Sequence, residues 1–576
     1  MSGALFKKVP EVDRAECGAA LLTPKSSSRT STNISSSTSN SIVGSAHIVA
    51  RCLKFLGRCD GYETAKTTAS PRHDAPPSGN RVTTRPLLPR RDNQNRFTYT
   101  PILHHPVHIA KFRNEEEHLG FLAFRNLTIS ELSSLFPSSL WERVIFQASE
   151  EEVFIRDAVV AVGALFSCER RLMVDAENRK TWSGLEKPPR YQFALQHHGR
   201  AIQSMRAKLS TRERSLRTML VGCLLIVCFE AVQGNYIQSL THAIGGHSVL
   251  QNWLASKKHS GSIVSQKEGI VSPAEDVLES DLVQAFARMD LQVMKYSVDP
   301  RATDVHQKLR LEGSDAITGM PTTFINTGEA RTYLELVERR AWHFIATKQV
   351  EVFKKQRGED KIDVIPKLLE DCDDISSGQA EEVFHSDEIA RWLSAIEPFY
   401  NSIVPNSREW KAATLLQIQA QTTKIMLNSV RPDESWADPF LPEFRWIAKA
   451  GKEIFDDNLI QNGHRFSFDG GIIKPLWMIG TYCRESTVRR EAIALLRKVA
   501  VKELFWDGLL HASACEAQML IEEEGMDEDG FIPEDERFKI TGGMVDGLNR
   551  IGMIRLTKMA RREDGMVDER EFALPL

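Results

Sequence analysis

The sequence predicts an all-α protein, a large helical bundle of packed hairpins over residues 115–576, preceded by a disordered N-terminal region. Three observations carry the prediction. After residue 115, apolar side chains recur three and four positions apart, which is the helical period. The stretch RTMLVGCLLIVCFEAVQGNYIQSLTHAIGGHSVLQNWL, residues 217–254, opens with a helix apolar on nearly every side, and only neighbours packed all round can cover such a helix. Credible strands are few.

Composition fits that class and excludes others. At 576 residues the chain exceeds one ordinary core, and 42% hydrophobic with 26% charged residues is the balance of a globular protein. The formal charge of -4 is small, so nucleic-acid contact requires a local basic patch. Nine cysteines, at 17, 52, 59, 168, 223, 228, 372, 483 and 515, lack the density of a disulfide scaffold. Reduced thiols of a cytosolic or nuclear protein are expected. The opening MSGALFKKVPEVDRAECG has no apolar core behind its lysines, so no secretory signal is read. A mitochondrial address, suggested by the Ser- and Arg-rich residues 22–58, is countered by Glu11, Asp13 and Glu16. The longest apolar run, Met219 to Phe229, falls short of the roughly 20 residues that cross a bilayer. No membrane partner is expected.

Residues 1–48 contain PKSSSRTSTNISSSTSNS, which cannot bury enough apolar surface to offset its ordering entropy. Residues 49–63 hold the cysteine pair discussed below. Residues 64–114 are linker-like, with Pro71, Pro76, Pro77, Pro86 and Pro89. Over residues 51–100 basic side chains outnumber acidic ones by about ten to four. Two readings stand: a solvated linker, or a nuclear-localisation or phosphate-contacting arm.

In the body, Ser149 and Glu152 read as a capping box, followed by a face of Ile155, Ala158, Val159, Val162, Leu165 and Phe166. Tyr191, Leu195, His198, Ile202, Met205 and Leu209 repeat the spacing. Gly234 divides the apolar helix from a second, amphipathic one, and Glu230 and Asn235 are placed to bond exposed helix ends. Segments 256–280 and 299–325 read as surface loops. A late helix should set Trp506, Leu509, Leu510, Ala517, Leu520 and Ile521 on one face. No fixed-period repeat supports a solenoid.

The chemistry-bearing stretch is RCLKFLGRCDGYE, residues 51–63. Cys52 and Cys59 stand in a basic setting that favours thiolates, the ligands zinc prefers. Two ligands alone do not hold zinc, so a pair of free thiols is the competing reading. The wording R-C-L-K-F-L-G-R-C-D-G-Y resembles the last third of the binuclear zinc cluster of fungal transcription factors, with Cys52 and Cys59 matching the fifth and sixth cluster cysteines. Val49 stands where that pattern has its fourth cysteine, and the first half is missing. Residues 223–250, LWERVIFQASEEEVFIRDAVVAVGALF before them, FARMDLQVM at 286–294 and RREAIALLRKVAVKELFWDGLL at 489–510 resemble the fungal-specific regulatory domain of such factors, in the family's order over roughly 100–576.

The resemblance implies a nuclear regulator of RNA polymerase II transcription that binds DNA through zinc, dimerises as a homodimer or heterodimer, and contacts the transcription machinery. Zinc is the implied cofactor and Cys52 and Cys59 the implied ligands; the cluster as written is incomplete. Further cysteines encoded upstream of Arg51, in place of the Ser-rich stretch, would complete it. The alternatives are a helical interaction protein lacking its DNA head, and an enzyme with a dispersed site. No phosphate loop, dinucleotide fingerprint, zinc-protease helix or nucleophile elbow appears, so no catalytic residue is named. GMDEDGFIPEDE at 525–536 departs from a calcium loop at Gly525 and Pro533, and HHPVH at 104–108 reads as ordinary linker histidines.

Overall fold

Buried apolar stripes and local caps set the helices. The computed structural model describes residues 112–575, apart from 134, 180–188, 211–214, 259–266, 297–302, 358–373, 432–433, 456–465, 500, 529, 547–550 and 562–566. The expected disordered segment, Cys52, Cys59, HHPVH and nearly all of the linker lie outside the described residues. What is described is all-α with a few small strands, as the periodicity predicts.

The first half is built from α1 (Glu115–Ala123), α2 (Ile129–Ser133), α3 (Ile145–Glu151), α4 (Val153–Arg179), α5 (Pro189–Leu209), α6 (Leu216–Gln233), α7 (Tyr236–Lys258) and α8 (Ser280–Tyr296). Asn114 caps α1, its side chain accepting from Glu117 N. Helix α4 packs on α1, α5 and α6, and α7 packs on both α6 and α8. Helix α6 is the one described helix long and apolar enough to cross a membrane, and 78% of that window is buried inside the protein. It is a core helix. Gly234 ends it at φ 81°, a left-handed conformation that admits glycine at little cost.

The second half comprises α9 (Thr303–Leu309), α10 (Ser314–Thr318), α11 (Thr327–Arg357), α12 (Asp374–Ser402), α13 (Arg408–Leu427), α14 (Leu441–Ile454), α15 (Ile473–Tyr482), α16 (Ser486–Val499) and α17 (Gly508–Glu522). Its apolar core centres on α11, α13 and α15, and α11 also packs against α8, α9 and α12. A small sheet joins the halves. Strand β1 (Phe466–Ser467) pairs parallel with β2 (Lys502–Glu503), which pairs antiparallel with β3 (Trp506–Asp507). Phe466, Phe468, Leu504 and Phe505 of this region enter the first half's core.

Four local expectations are corrected. Ser149 lies inside α3 and donates to Phe146 O, while Glu152 is the extended break before α4, so the pair is no capping box. Helix α5 buries Tyr191, Ala194, His197, His198 and Ala201, leaving Leu195 and Leu209 exposed. Its histidines face inward because buried carboxylates on α1, α4 and α6 receive them. The helix expected through Trp506 is broken: residues 502–507 form strands that deliver Glu503 to cap α15, and Leu509 and Leu520 are exposed. Segment 299–325, read as loop, carries α9 and α10.

The sequence reading also passed over a C-terminal antiparallel meander, β4 (Phe538–Asp546), β5 (Ile551–Arg561) and β6 (Val567–Pro575). It covers α17, where Leu510, Ala514, Ala517 and Ile521 meet Phe538, Ile554, Leu556 and Leu574.

Candidate functional site

Helix α7 presents His247, Leu250, Gln251 and Leu254 at positions i, i+3, i+4 and i+7, one helical face. That face does not close on its neighbours. Between it, the turn following 267, and helices α8, α9 and α11 lies a cavity of about 210 Å³. Leu250 and Val283 line it and are buried, and Val271 and Pro273 add apolar wall from the turn. The opposite side is charged. Lys308 at the end of α9, Glu312 just beyond it, and Arg339 of α11 line that side, and α9 packs on α11.

Arg339 is nearly buried, and its Nη2 donates to Glu312 Oε2 at 2.7 Å and to Gly269 O at 3.3 Å. Its buried Nε–H has no acceptor among the described residues. Burial pushes the Glu312 carboxyl up, but Arg339, then His247, outweigh it and hold the group below its ordinary range. The carboxylate is therefore ionised and committed to Arg339.

A chain of buried polar groups runs beneath the cavity. Gln251 Nε2 stands 3.2 Å from His247 Nε2, and His247 Nδ1 lies 3.4 Å from Asp290 Oδ1. Asp290 Oδ2 is 3.0 Å from His343 Nε2, and His343 Nδ1 is 3.0 Å from His306 Nδ1. The tautomers are linked, because of two facing Nδ1 atoms one must donate and the other accept. The chain ties α7, α8, α9 and α11 together at the cavity floor.

Two other polar clusters are closed. Lys474 is buried against the indoles of Trp477, Trp506 and Trp342, at 4.0, 5.0 and 5.2 Å from their ring centres. Burial, then the nearby Lys295 ammonium, holds its amine well below the ordinary lysine value, while the three ring faces favour the ammonium. Burial dominates, since no carboxylate bonds the amine among the described residues. In the first half, Glu117, Asp157 and His197 bring one oxygen or nitrogen each within 4.8 Å of the others, the spacing of a metal site. The Arg113 guanidinium already contacts both carboxylates, at 3.4 and 3.2 Å, and supplies the positive charge a metal would bring.

Cys52 and Cys59 lie outside the described residues; the described cysteines and the α6 end residues singled out in the body are packing residues. Cys223 and Cys228 are buried thiols, and burial pushes Cys223 up to about 12. Cys483 and Cys515 are likewise buried and raised, each to about 11. The backbone of Asn235 bonds Glu230 O and closes α6, as expected, but the Glu230 carboxylate is turned inward to His198 Nε2 at 2.8 Å and Asn235 Nδ2 at 2.7 Å. In the acidic stretch at 525–536, Asp527 Oδ1 accepts from Phe531 N and Glu536 pairs with Lys558, so both carboxylates serve local structure.

Sequence reasoning missed the buried polar residues. Asp290 inside the apolar FARMDLQVM, Arg339 and His343 inside RRAWHF, and Lys474 inside IIKPLW were the available signal: charged groups on faces whose period demands burial.

Comparison with known proteins places one segment. Residues 123–291, from the end of α1 to α8, match the family model of the fungal specific transcription factor domain. No curated protein and no solved structure matches the chain.

Proposed function

We propose that this chain is a nuclear regulator of RNA polymerase II transcription whose helical body is the regulatory domain. The observation that carries the reading is the match of residues 123–291 to the fungal specific transcription factor domain, which spans the helices that build the first core. In this reading the chain is not an enzyme.

DNA contact would run through residues 49–63, with Cys52 and Cys59 as zinc ligands. Bound zinc would hold that segment folded for insertion into a DNA groove. Two thiolates fill two of a zinc ion's four positions. The described cysteines Cys168, Cys223, Cys228, Cys483 and Cys515 are buried in the body and do not fit as the missing ligands. The remainder must come from another cysteine-bearing segment or a partner chain, which fits a regulator acting as a homodimer or heterodimer.

Val49, standing where the pattern has a cysteine, favours a second reading: a helical interaction regulator that reaches DNA and the transcription machinery only through partners. Zinc per chain and promoter occupancy separate the two. In the first reading the purified protein holds zinc, and Cys52→Ser with Cys59→Ser removes both zinc and occupancy of chromatin by the tagged protein. Occupancy that survives the double substitution supports the second reading. No occupancy with either protein, and unchanged transcripts when the chain is deleted, would refute both.

A further inference from the structure

We propose that the cavity between α7, α8, α9 and α11 binds a small amphipathic acid, its carboxylate on the Arg339 and Lys308 side and its apolar tail along Leu250, Leu254 and Val283. The inference stands on the cavity alone and goes beyond the transcriptional reading.

Size sets the first bound. About 210 Å³ exceeds the roughly 150 Å³ of an apolar cavity that takes up benzene, and suits a ligand of about ten non-hydrogen atoms. The walls set the second. One side is aliphatic, so a molecule polar throughout would lose its hydration there without compensation. The other side carries Lys308 and Arg339, and Arg339 Nη2 already donates to Glu312 Oε2 and Gly269 O.

Charge selects the head. Lys257, Lys308 and Arg339 line the cavity against Glu268 and Glu312. Glu312 is committed to Arg339, and Lys308 has no ion-pair partner among the described residues. Three cationic side chains stand against two carboxylates, so a cationic head would meet an excess of like charge and a neutral head would gain nothing from Lys308. A carboxylate pairs with the lysine.

The test is calorimetric titration of the full chain with three probes sharing one tail: octanoate, 1-octanol and octylammonium. Octanoate should bind one per chain and at least about tenfold more tightly than the alcohol, with no detectable heat from the ammonium. Lys308→Glu, an exposed change that leaves the core intact, should weaken octanoate about tenfold. Leu254→Trp should fill the cavity and abolish binding, with circular dichroism confirming the fold. Equal affinity for the three heads, undiminished binding in Leu254→Trp, or no octanoate binding at all would overturn the proposal. Promoter occupancy is a separate readout, so failure of either reading leaves the other's test intact.

Discussion

Replacing Glu522 by Gln should release the C-terminal sheet and cost the protein a large part of its stability. Glu522 ends α17 with its side chain fully buried. Its Oε1 accepts from Arg484 Nη2 at 3.0 Å and from Phe538 N at 2.8 Å, and its Oε2 accepts from Arg489 Nη1 at 2.7 Å. Arg484 and Arg489 are themselves 5% and 1% exposed, so one carboxylate neutralises part of two buried positive charges. Removing that charge takes a carboxylate from two buried guanidinium groups, a loss of about 3–5 kcal/mol. Typical total stabilities are only about 5–15 kcal/mol.

The loss should appear first where Glu522 holds the first residue of β4. Limited proteolysis should cut the Glu522→Gln protein within 538–575 at urea concentrations that leave the native chain whole. The control is Arg490→Ala, which breaks the neighbouring but half-exposed Arg490–Glu523 pair. Solvent screening limits such a pair to about 0–1 kcal/mol. If the urea midpoint and the cleavage pattern of Glu522→Gln are no worse than those of Arg490→Ala, the account of this buried network is wrong.

Three further outcomes follow from buried groups. Lys474→Met should stabilise the protein at neutral pH by about 1–3 kcal/mol, because it removes a buried amine that has no hydrogen-bonded carboxylate. Burial holds the native amine's pKa low, so the unfolded chain binds the extra proton; stability therefore rises with pH up to the ordinary lysine value, and thermal unfolding of the Met variant should lose that slope. Glu503 caps α15 through the N–H groups of Gly471, Ile472 and Ile473, yet burial raises its carboxyl to about 7 from 4.5. A raised acid protonates first in the folded state, so its contribution is full below about pH 4.5 and falls by about 3 kcal/mol as pH rises through 7; Glu503→Gln should flatten the denaturation midpoint over that window. Gly246→Val should cost about 1–3 kcal/mol in urea unfolding, because a Cβ there would stand 2.6 Å from Cys223 Sγ and 2.7 Å from Phe286 Cε1.

Periodicity exposed the helices wherever aliphatic burial built them. Ile155, Ala158, Val159, Val162 and Leu165 are all buried on α4, and α6 is covered all round, as a helix without a polar face must be. It held for Tyr191 and His198 of α5 but failed at Leu195 and Leu209, which are exposed, because hydropathy ranks His197 as a surface residue and cannot register the carboxylates that receive it. It failed again at residues 502–507, where a carboxylate needed at the start of α15 overrides the helical reading of KELFWD. The meander escaped notice because Phe538, Ile540 and the glycines after it form a weak alternation, and its stability comes from covering α17. The cavity was invisible for a simpler reason: its walls come from four helices distant in sequence.

The way those walls divide along the chain bears on what the body can recognise. Helix α7, the turn following 267 and α8 as far as residue 291 lie within the segment that matches the fungal specific transcription factor domain, and they give the cavity its aliphatic side and His247. Lys308, Glu312 and Arg339 lie beyond residue 291 and add their charges to those of Lys257 and Glu268. The two parts are not independent, because Asp290 of α8 binds His343 one helical turn from Arg339 on α11. A ligand drawing on Arg339 therefore loads the helix that the Asp290 chain ties to α7 and α8. Changes in charge on α9 and α11 would alter which head group the cavity accepts, while the scaffold that fixes its size stays the same.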